Sequence, residues 1–236
     1  MDSFLLKGKT HTYLVYRLVY EPVASNMYAI LKNNVALVLD PHQSDDLVDL
    51  LEKEQIERVN ILLTHEHYDH TSGLRWLYDL YPSKIYCQKA CAQTIAVKRK
   101  NNPALIAMVL ADRDKKDGGN RYETFKRQFV PYACEADYTF EDSVIWDIDG
   151  IEVKGVATPG HSPGSAFYYI DDMLAFSGDT LLKDFPVITR FRTSNPEDYE
   201  KKTLPYLKQL NPNLILIPGH GNPFEEREAQ YIKYNV

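Results

Sequence analysis

The sequence predicts an α/β chain, on three observations. Short runs rich in Val, Ile, Leu and Tyr recur along its length, most close on a polar or glycine-bearing turn, and helix-patterned segments follow those turns. At 236 residues, 44% of them apolar, the chain suits one domain with a sizeable core. We read 1–236 as a single unit with a helical insertion over about 90–136, and find no internal repeat and no low-complexity linker.

From the N-terminus, the Tyr, Val and Leu content of Tyr13 to Tyr20 makes it a strand. Met27 to Lys32 and Val35 to Leu39 are two more, joined across the hairpin signal Asn33-Asn34 and closed by Asp40-Pro41. Ser44 is an N-cap, with Asp45 and Asp46 in the first turn of a helix running to about Gln55. Val59 to Leu63, largely apolar without alternation, has the pattern of a buried strand. Thr71-Ser72-Gly73 leads into a helix through Leu74, Leu77 and Leu80 that stops near Pro82, and Lys84 to Gln88 is a short strand.

The rhythm then breaks. Ala90 to Lys100 reads as helix, Pro103 to Asp112 as a second helix with proline at its start, Asp112 to Gly119 as an exposed charged turn, and Tyr122 to Phe129 as a weaker helix or loop. This insertion either lines a pocket with its aromatic and basic residues or packs as an ornament with a solvated face. The β pattern returns at Ser143 to Ile148 and Ile151 to Val156 around Asp149-Gly150, then at Ala166 to Ile170 and Met173 to Ser177 around Asp171-Asp172. Glu197 to Leu210 is a helix kinked or divided at Pro205, Leu214 to Ile217 the last strand, and Glu225 to Tyr234 a final helix.

The charge balance of 27 basic against 33 acidic residues gives −6, no global basic field for nucleic acid or an anionic membrane. No run approaches a transmembrane length, and Met1 to Lys7 lacks the apolar core of a signal peptide. Cys87, Cys91 and Cys134 form no CxxC pair. Cys87 and Cys91 are four apart, and we read them as free buried thiols rather than ligands. A reducing cytoplasm is the expected compartment.

The chemistry concentrates in Thr64-His65-Glu66-His67-Tyr68-Asp69-His70, which follows the buried strand directly and holds three of the seven histidines. Such a cluster at the end of a buried strand needs compensation of charge and desolvation, and a divalent metal supplies it. On extended chain His65 and His67 project to one side and can reach one ion; Asp69 and His70 come round the turn toward a second. His161, Asp179 and His220 each follow an apolar β segment beside glycine, which lets backbone approach a crowded site. Glu66 and Tyr68 are expected to point away from the site.

His65-x-His67-x-Asp69-His70, followed in order by His161, Asp179 and His220, resembles the metallo-β-lactamase superfamily. Supporting features are Asn26-Met27-Tyr28, Asp40 after its strand, the run Thr158 to Ser165, and Ser177-Gly178-Asp179-Thr180. The resemblance covers roughly Asn26 to Asn222 apart from the insertion. It implies an αββα sandwich, with two β-sheets face to face, helices outside and metals at one edge between the sheets. It also implies two divalent ions, zinc first, with iron or manganese as alternatives: His65, His67 and His161 on one, Asp69, His70 and His220 on the other, Asp179 bridging. A water shared by two ions loses its proton near neutral pH, and Asp69 would orient the hydroxide. Asp40 either fixes a ligand imidazole or caps a turn.

Within the superfamily the chain is most similar to the glyoxalase II group of thioesterases, so a hydrolase of thioester or other ester-type small molecules is expected. Two departures are visible. The chain runs about sixteen residues past His220, too few for the helical C-terminal domain of glyoxalase II, and Lys183 to Arg190 replaces the expected Gly-Arg-Asp pattern. Lys183, Arg190 and Arg192 are candidates to bind a substrate carboxylate or phosphate, with surface charge as the alternative. Lactonase and phosphodiesterase activity remain open. So do a mononuclear iron persulfide dioxygenase, disfavoured by the intact second ligand set, and a non-catalytic member, which would show an eroded ligand. True β-lactamases carry other ligands at the His70 or Asp179 positions, flavodiiron proteins a carboxylate at that of His67, and the RNA-processing branches larger insertions.

Overall fold

The computed structural model describes residues 1–101 and 103–229. Its strands and helices run β1 (Asp2–Lys7), β2 (Thr12–Tyr20), β3 (Ser25–Lys32), β4 (Val35–Leu39), α1 (Asp45–Lys53), β5 (Arg58–Leu63), α2 (Tyr68–Thr71), α3 (Leu74–Leu80), β6 (Ser83–Gln88), α4 (Lys89–Ile95), α5 (Ala104–Asp117) and α6 (Arg121–Gln128). There follow β7 (Tyr138–Phe140), β8 (Ser143–Ile148), β9 (Ile151–Ala157), β10 (Ala166–Ile170), β11 (Leu174–Gly178), α7 (Pro196–Asp198), α8 (Leu204–Leu207), β12 (Ile215–Pro218) and β13 (Phe224–Glu225).

One sheet orders its strands β1 to β7 in sequence, antiparallel as far as β4 and parallel from β4 to β7. The other runs β13-β12-β11-β10-β9-β8, antiparallel except where β11 meets β12. The strand period of two places alternate residues in different cores. Tyr28 and Ile30 of β3 and Leu62 of β5 face Tyr168 and Ile170 of β10 between the sheets. Met27, Ala29, Val59, Ile61 and Leu63 face the other way, against Leu47 and Leu51 of α1 and Leu74 and Leu77 of α3. Phe167 of β10 and Leu216 of β12 turn outward onto Leu207 of α8. The layers are therefore helix, sheet, sheet, helix. Burial on both faces explains why β5 shows no alternation of polarity.

The expected elements form with a few corrections. Ser44 caps α1 by accepting from Leu47 N. The Asp149-Gly150 and Asp171-Asp172 turns have positive φ at both residues, as tight hairpins require. The stretch expected as an exposed turn from Asp112 is helical to Asp117 and ends at Gly118 in the left-handed region. Its charges support the helix, because Lys116 pairs with Asp112 one turn back. Tyr122 to Phe129 is helix over Arg121–Gln128, and α4 stops at Ile95, short of Lys100. Cys91, Ile95, Leu110, Phe125, Tyr132 and Cys134 of this segment join the same core as Leu47, so the segment roofs the first sheet.

The helix expected over Glu197 to Leu210 is divided. Pro205 has no N–H to donate, and the turn Tyr199–Thr203 widens to a π-helix that Leu204 N closes on Tyr199 O. Strands β1, β7 and β13 are additional, so β12 is not the last. The expected C-terminal α-helix is not there over Glu225 to Glu228: Glu225 pairs with Ile215 as strand, and one 3-10 turn, Glu226–Glu228, follows. Residues 230–234 of that expectation lie outside the described residues. Among the described residues no helix is long and apolar enough to cross a membrane.

The sheets are joined at the end of β5 by Tyr168, fully buried, whose hydroxyl donates to Leu63 O at 3.0 Å. Tyr168→Phe should remove this link between the sheets and lower unfolding free energy by about 1 kcal/mol, read by urea denaturation.

Candidate metal centre

Four chain segments meet beyond the ends of β5, β9, β11 and β12. Thr64 and His65 leave β5, His67 stands at the start of α2, and Asp69 and His70 lie within it. His161 follows β9, Asp179 follows β11 and His220 follows β12. Backbone bonds lock the segments together: Ala166 N to Thr64 O at 2.8 Å, Gly219 N to Gly178 O at 2.8 Å, Asn26 N to Gly219 O at 2.7 Å. Gly178 has φ of 50°, and a Cβ there would lie 2.5 Å from Thr64 Oγ1. A Cβ on Gly219 would lie 2.4 Å from Asp179 Oδ1. Only glycine leaves room for the convergence.

The ring nitrogens converge in two groups. His67 Nδ1 lies 3.1 Å from His65 Nε2 and 3.0 Å from His161 Nε2. His70 Nε2 and His220 Nε2 lie 3.6 and 3.5 Å from Asp69 Oδ2. Asp179 stands between the groups, with Oδ1 3.5 Å from His70 Nε2 and Oδ2 3.7 and 3.4 Å from the Nε2 atoms of His161 and His220. The seven residues expected as ligands are thus brought together.

Outer hydrogen bonds set the tautomers. His70 Nδ1 donates to Asp40 Oδ2 at 3.0 Å, His161 Nδ1 to Ile188 O at 2.9 Å and His220 Nδ1 to Ala24 O at 2.9 Å. Thr64 Oγ1 donates to Asp40 Oδ2 at 2.6 Å, which leaves it to accept from His65 Nδ1 at 3.1 Å. In the neutral form of each of these four rings the lone pair therefore falls on the inner nitrogen. Asp40 lies on the outer side, accepting also from Thr64 N at 2.7 Å, and of the two roles left open for it the contact to His70 is the one the structure contains.

The electrostatics of the cluster are those of a site short of positive charge. Burial and the neighbouring rings push His65 down, and burial and His161 push His67 down to about 4. Burial also lowers His161. In His70 burial is outweighed by the Asp69, Asp179 and Asp40 carboxylates, which raise it to about 9; in His220 burial is outweighed by Asp179 and Asp69, which raise it to about 11. Against their own burial, Asp69 is held at about 2 by His70 and His220, and Asp179 well below the usual range by His220 and His70. His70 Nε2 and Asp179 Oδ1 are buried without a hydrogen-bond partner. Inward lone pairs, two carboxylates and orphaned polar atoms fit divalent cations in both groups.

The other expected residues divide. The Lys183 amine is taken by Glu228 at 2.8 Å. Arg190 and Arg192 are exposed and make no ion pair among the described residues. Glu66 and Tyr68 turn their polar atoms to Ser162, Gly164 and Val130, away from the convergent nitrogens. The three cysteines are free and buried and join no candidate ligand group among the described residues. Two residues were not legible in the sequence. Phe191, half-buried, stands edge-on to His67 at 5.5 Å and His161 at 5.6 Å, and nothing in its loop sequence marks it. His42, 4% exposed, packs on Tyr20 with its Nδ1 unpartnered.

Two predictions follow from these contacts. Asp40 has φ of 52°, which asparagine tolerates, so Asp40→Asn keeps the backbone but supplies an amide where His70 needs an acceptor. Metal affinity should fall ~10–100-fold in a chelator competition. Burial, then His70, lowers His42 to about 4. A depressed histidine contributes stability that is present above its unfolded value near 6.5 and lost as pH falls through the folded value. In metal-free protein, His42→Leu should flatten the loss of unfolding free energy between pH 6.5 and 4 by up to about 3 kcal/mol.

A family model described as the metallo-beta-lactamase superfamily matches residues 20–220. The probable polyketide biosynthesis zinc-dependent hydrolase BaeB of Bacillus velezensis is 26% identical over 225 residues, covering 93% of this chain and 83% of that protein. The hydroxyacylglutathione hydrolase of Pelagibacter ubique is 27% identical over 149 residues, covering 63% of this chain and 46% of that protein. The crystal structure of the B3 metallo-beta-lactamase BLEG-1 superposes with a TM-score of 0.68 at 24% identity, over 91% of this chain and 95% of that one. The match spans both sheets and every converging side chain, and the chain belongs to the metallo-beta-lactamase superfamily.

Proposed function

We propose that the protein is a dinuclear metal-dependent hydrolase of a thioester or related ester-type small molecule. The observation that carries the reading is the convergence of five imidazoles and two carboxylates, four of the rings with their outer nitrogens committed to acceptors. His65, His67 and His161 would hold one ion, Asp69, His70 and His220 the other, and Asp179 both. When bound, such ions supply Lewis acidity and bring the pKa of a shared water near 7.

The residues of the chain supply the rest. Asp69, beside His70 and His220, is placed to accept a hydrogen bond from the attacking water and orient it. Phe191 forms an apolar wall at the rings of His67 and His161, where it excludes water and packs the acyl part of a substrate. Zinc is supported by the similarity to BaeB, a probable zinc-dependent hydrolase, and a thioester by the similarity to the hydroxyacylglutathione hydrolase and the glyoxalase II-like motifs. Arg190 and Arg192, exposed on either side of Phe191 in sequence and without an ion pair among the described residues, favour a substrate with an anionic part, which makes phosphodiester hydrolysis the second reading.

Elemental analysis of untagged protein should give about two equivalents of divalent metal per chain, with zinc dominant. Chelation should abolish hydrolysis of acyl thioesters, and zinc should restore it. Phe191→Ala should raise KM for apolar acyl thioesters more than it lowers kcat. A single tightly held iron with oxygen uptake on persulfides would replace this reading by the dioxygenase, and no metal after reconstitution would end it.

A further inference from the structure

The first ligand group is assembled from two sheets. His65 and His67 leave β5 of the first, whereas His161 lies on the loop between β9 and β10 of the second. Ile188 O and Ser194 Oγ fix the His161 ring and backbone from a third segment, but neither ties His161 to the His65 segment. The backbone bond from Ala166 N to Thr64 O joins the two segments at their strand ends, and a spacing of 3.0–3.1 Å among three ring nitrogens calls for a second tie beside the rings themselves.

Glu66 supplies it. The residue sits between His65 and His67, is 8% exposed, and forms no ion pair among the described residues. Its Oε2 accepts from Ser162 Oγ at 2.9 Å, and its Oε1 from Gly164 N at 3.3 Å. Ser162 is the neighbour of His161, and its hydroxyl also meets Ser165 Oγ at 2.9 Å. The space for the carboxyl is built in, since a Cβ on Gly164 would lie 2.4 Å from Glu66 Oε2 and 2.4 Å from Cys91 N. A buried carboxyl outside any ion pair among the described residues costs free energy that a surface glutamate would avoid. Such a group persists where its hydrogen bonds hold something in place.

We infer that Glu66 is a positioning residue: its carboxyl clamps the His65–His67 segment to the His161 loop and so sets the spacing of the first ligand group. The inference rests on the metal-centre reading above. The clamp works through hydrogen bonds, so glutamine can replace it: its carbonyl accepts from Gly164 N, and its amide donates to Ser162 Oγ once that hydroxyl rotates.

The test is zinc titration against a chromophoric chelator, with the visible spectrum of the cobalt(II)-substituted chain as second readout. Glu66→Ala should weaken the first-group zinc step by ~10–100-fold and alter the cobalt bands, with the second-group step nearly unchanged. Glu66→Gln should recover most of the loss. Ser162→Ala should show a smaller loss, and adding it to Glu66→Ala should cost nothing more, because both changes break one contact. Ser162→Ala also carries the test if Glu66→Ala does not fold. Unchanged affinity in Glu66→Ala and Ser162→Ala, glutamine as damaging as alanine, or additive losses would each overturn the clamp while wild type still binds zinc. Wild type binding neither metal would overturn the metal-centre reading and the clamp with it.

Discussion

A neutral imidazole offers a metal one lone pair, and offers it in a fixed direction only when its other nitrogen is committed to an acceptor. The architecture of this chain around its ligand groups is organised by that constraint. The four acceptors are Thr64 Oγ1, Asp40 Oδ2, Ile188 O and Ala24 O, and they come from four places in the fold. Two are side chains at the ends of β5 and β4, one is the turn between β2 and β3, and one is the loop after β11. No short segment could present all four. The double sheet is what brings them to one edge.

Asp40 shows what that arrangement costs. It occupies the left-handed region at φ 52°, where a non-glycine residue is strained by of order 1–3 kcal/mol. Three hydrogen bonds to its carboxylate, from Thr64 N, Thr64 Oγ1 and His70 Nδ1, offset the strain. The same carboxylate therefore holds the exit of β5, the tautomer of His65 through Thr64, and His70 directly. Ala24, whose carbonyl receives His220 Nδ1, is also left-handed, at φ 57°. Two of the non-glycine residues in the left-handed region, Asp40 and Ala24, thus supply acceptors that orient the rings, while Asn33, Asp149, Asp171 and Asp172 make hairpin turns.

The parts of the fold legible in the sequence are those whose cause is local. β3, β4, β5, β10 and β11 read as strands because burial on both faces leaves unbroken apolar runs, and the hairpins read because Asn33, Asp149 and Asp171 adopt positive φ. The candidate ligands were legible because the chemistry concentrates in six consecutive residues and in three glycine-flanked turns. What was not legible depends on distant partners. β1 is an edge strand whose Leu5 is 74% exposed, so its pattern carries no burial signal, and β7 is three residues that pair only because β6 is present. The tail expected as helix from Glu225 begins in strand because Ile215 offers Glu225 a ladder. Lys183 looked like a free cation until Glu228 was placed beside it. Phe191 and Glu66 take their meaning from His161, distant from both in sequence, and no pattern within either segment points to it.

On the proposed function, the loop between Leu181 and Asn195 couples recognition to the geometry of the candidate ligands. Ile188 O sets the His161 tautomer, Ser194 Oγ donates to His161 O at 2.7 Å, Asn195 N donates to Gly160 O at 2.9 Å, and Phe191 packs on two of the rings. The segment that walls the site is therefore also a scaffold for one ligand. A change of side chain at Phe191 leaves those backbone bonds in place and alters only the wall. A change of loop length moves Ile188 O and frees the His161 ring to expose its proton inward. Variation among proteins of this fold that respects the geometry of the first group should accordingly keep the spacing from Ile188 to Asn195 and exchange the side chains it carries, which separates substrate choice from the integrity of the centre.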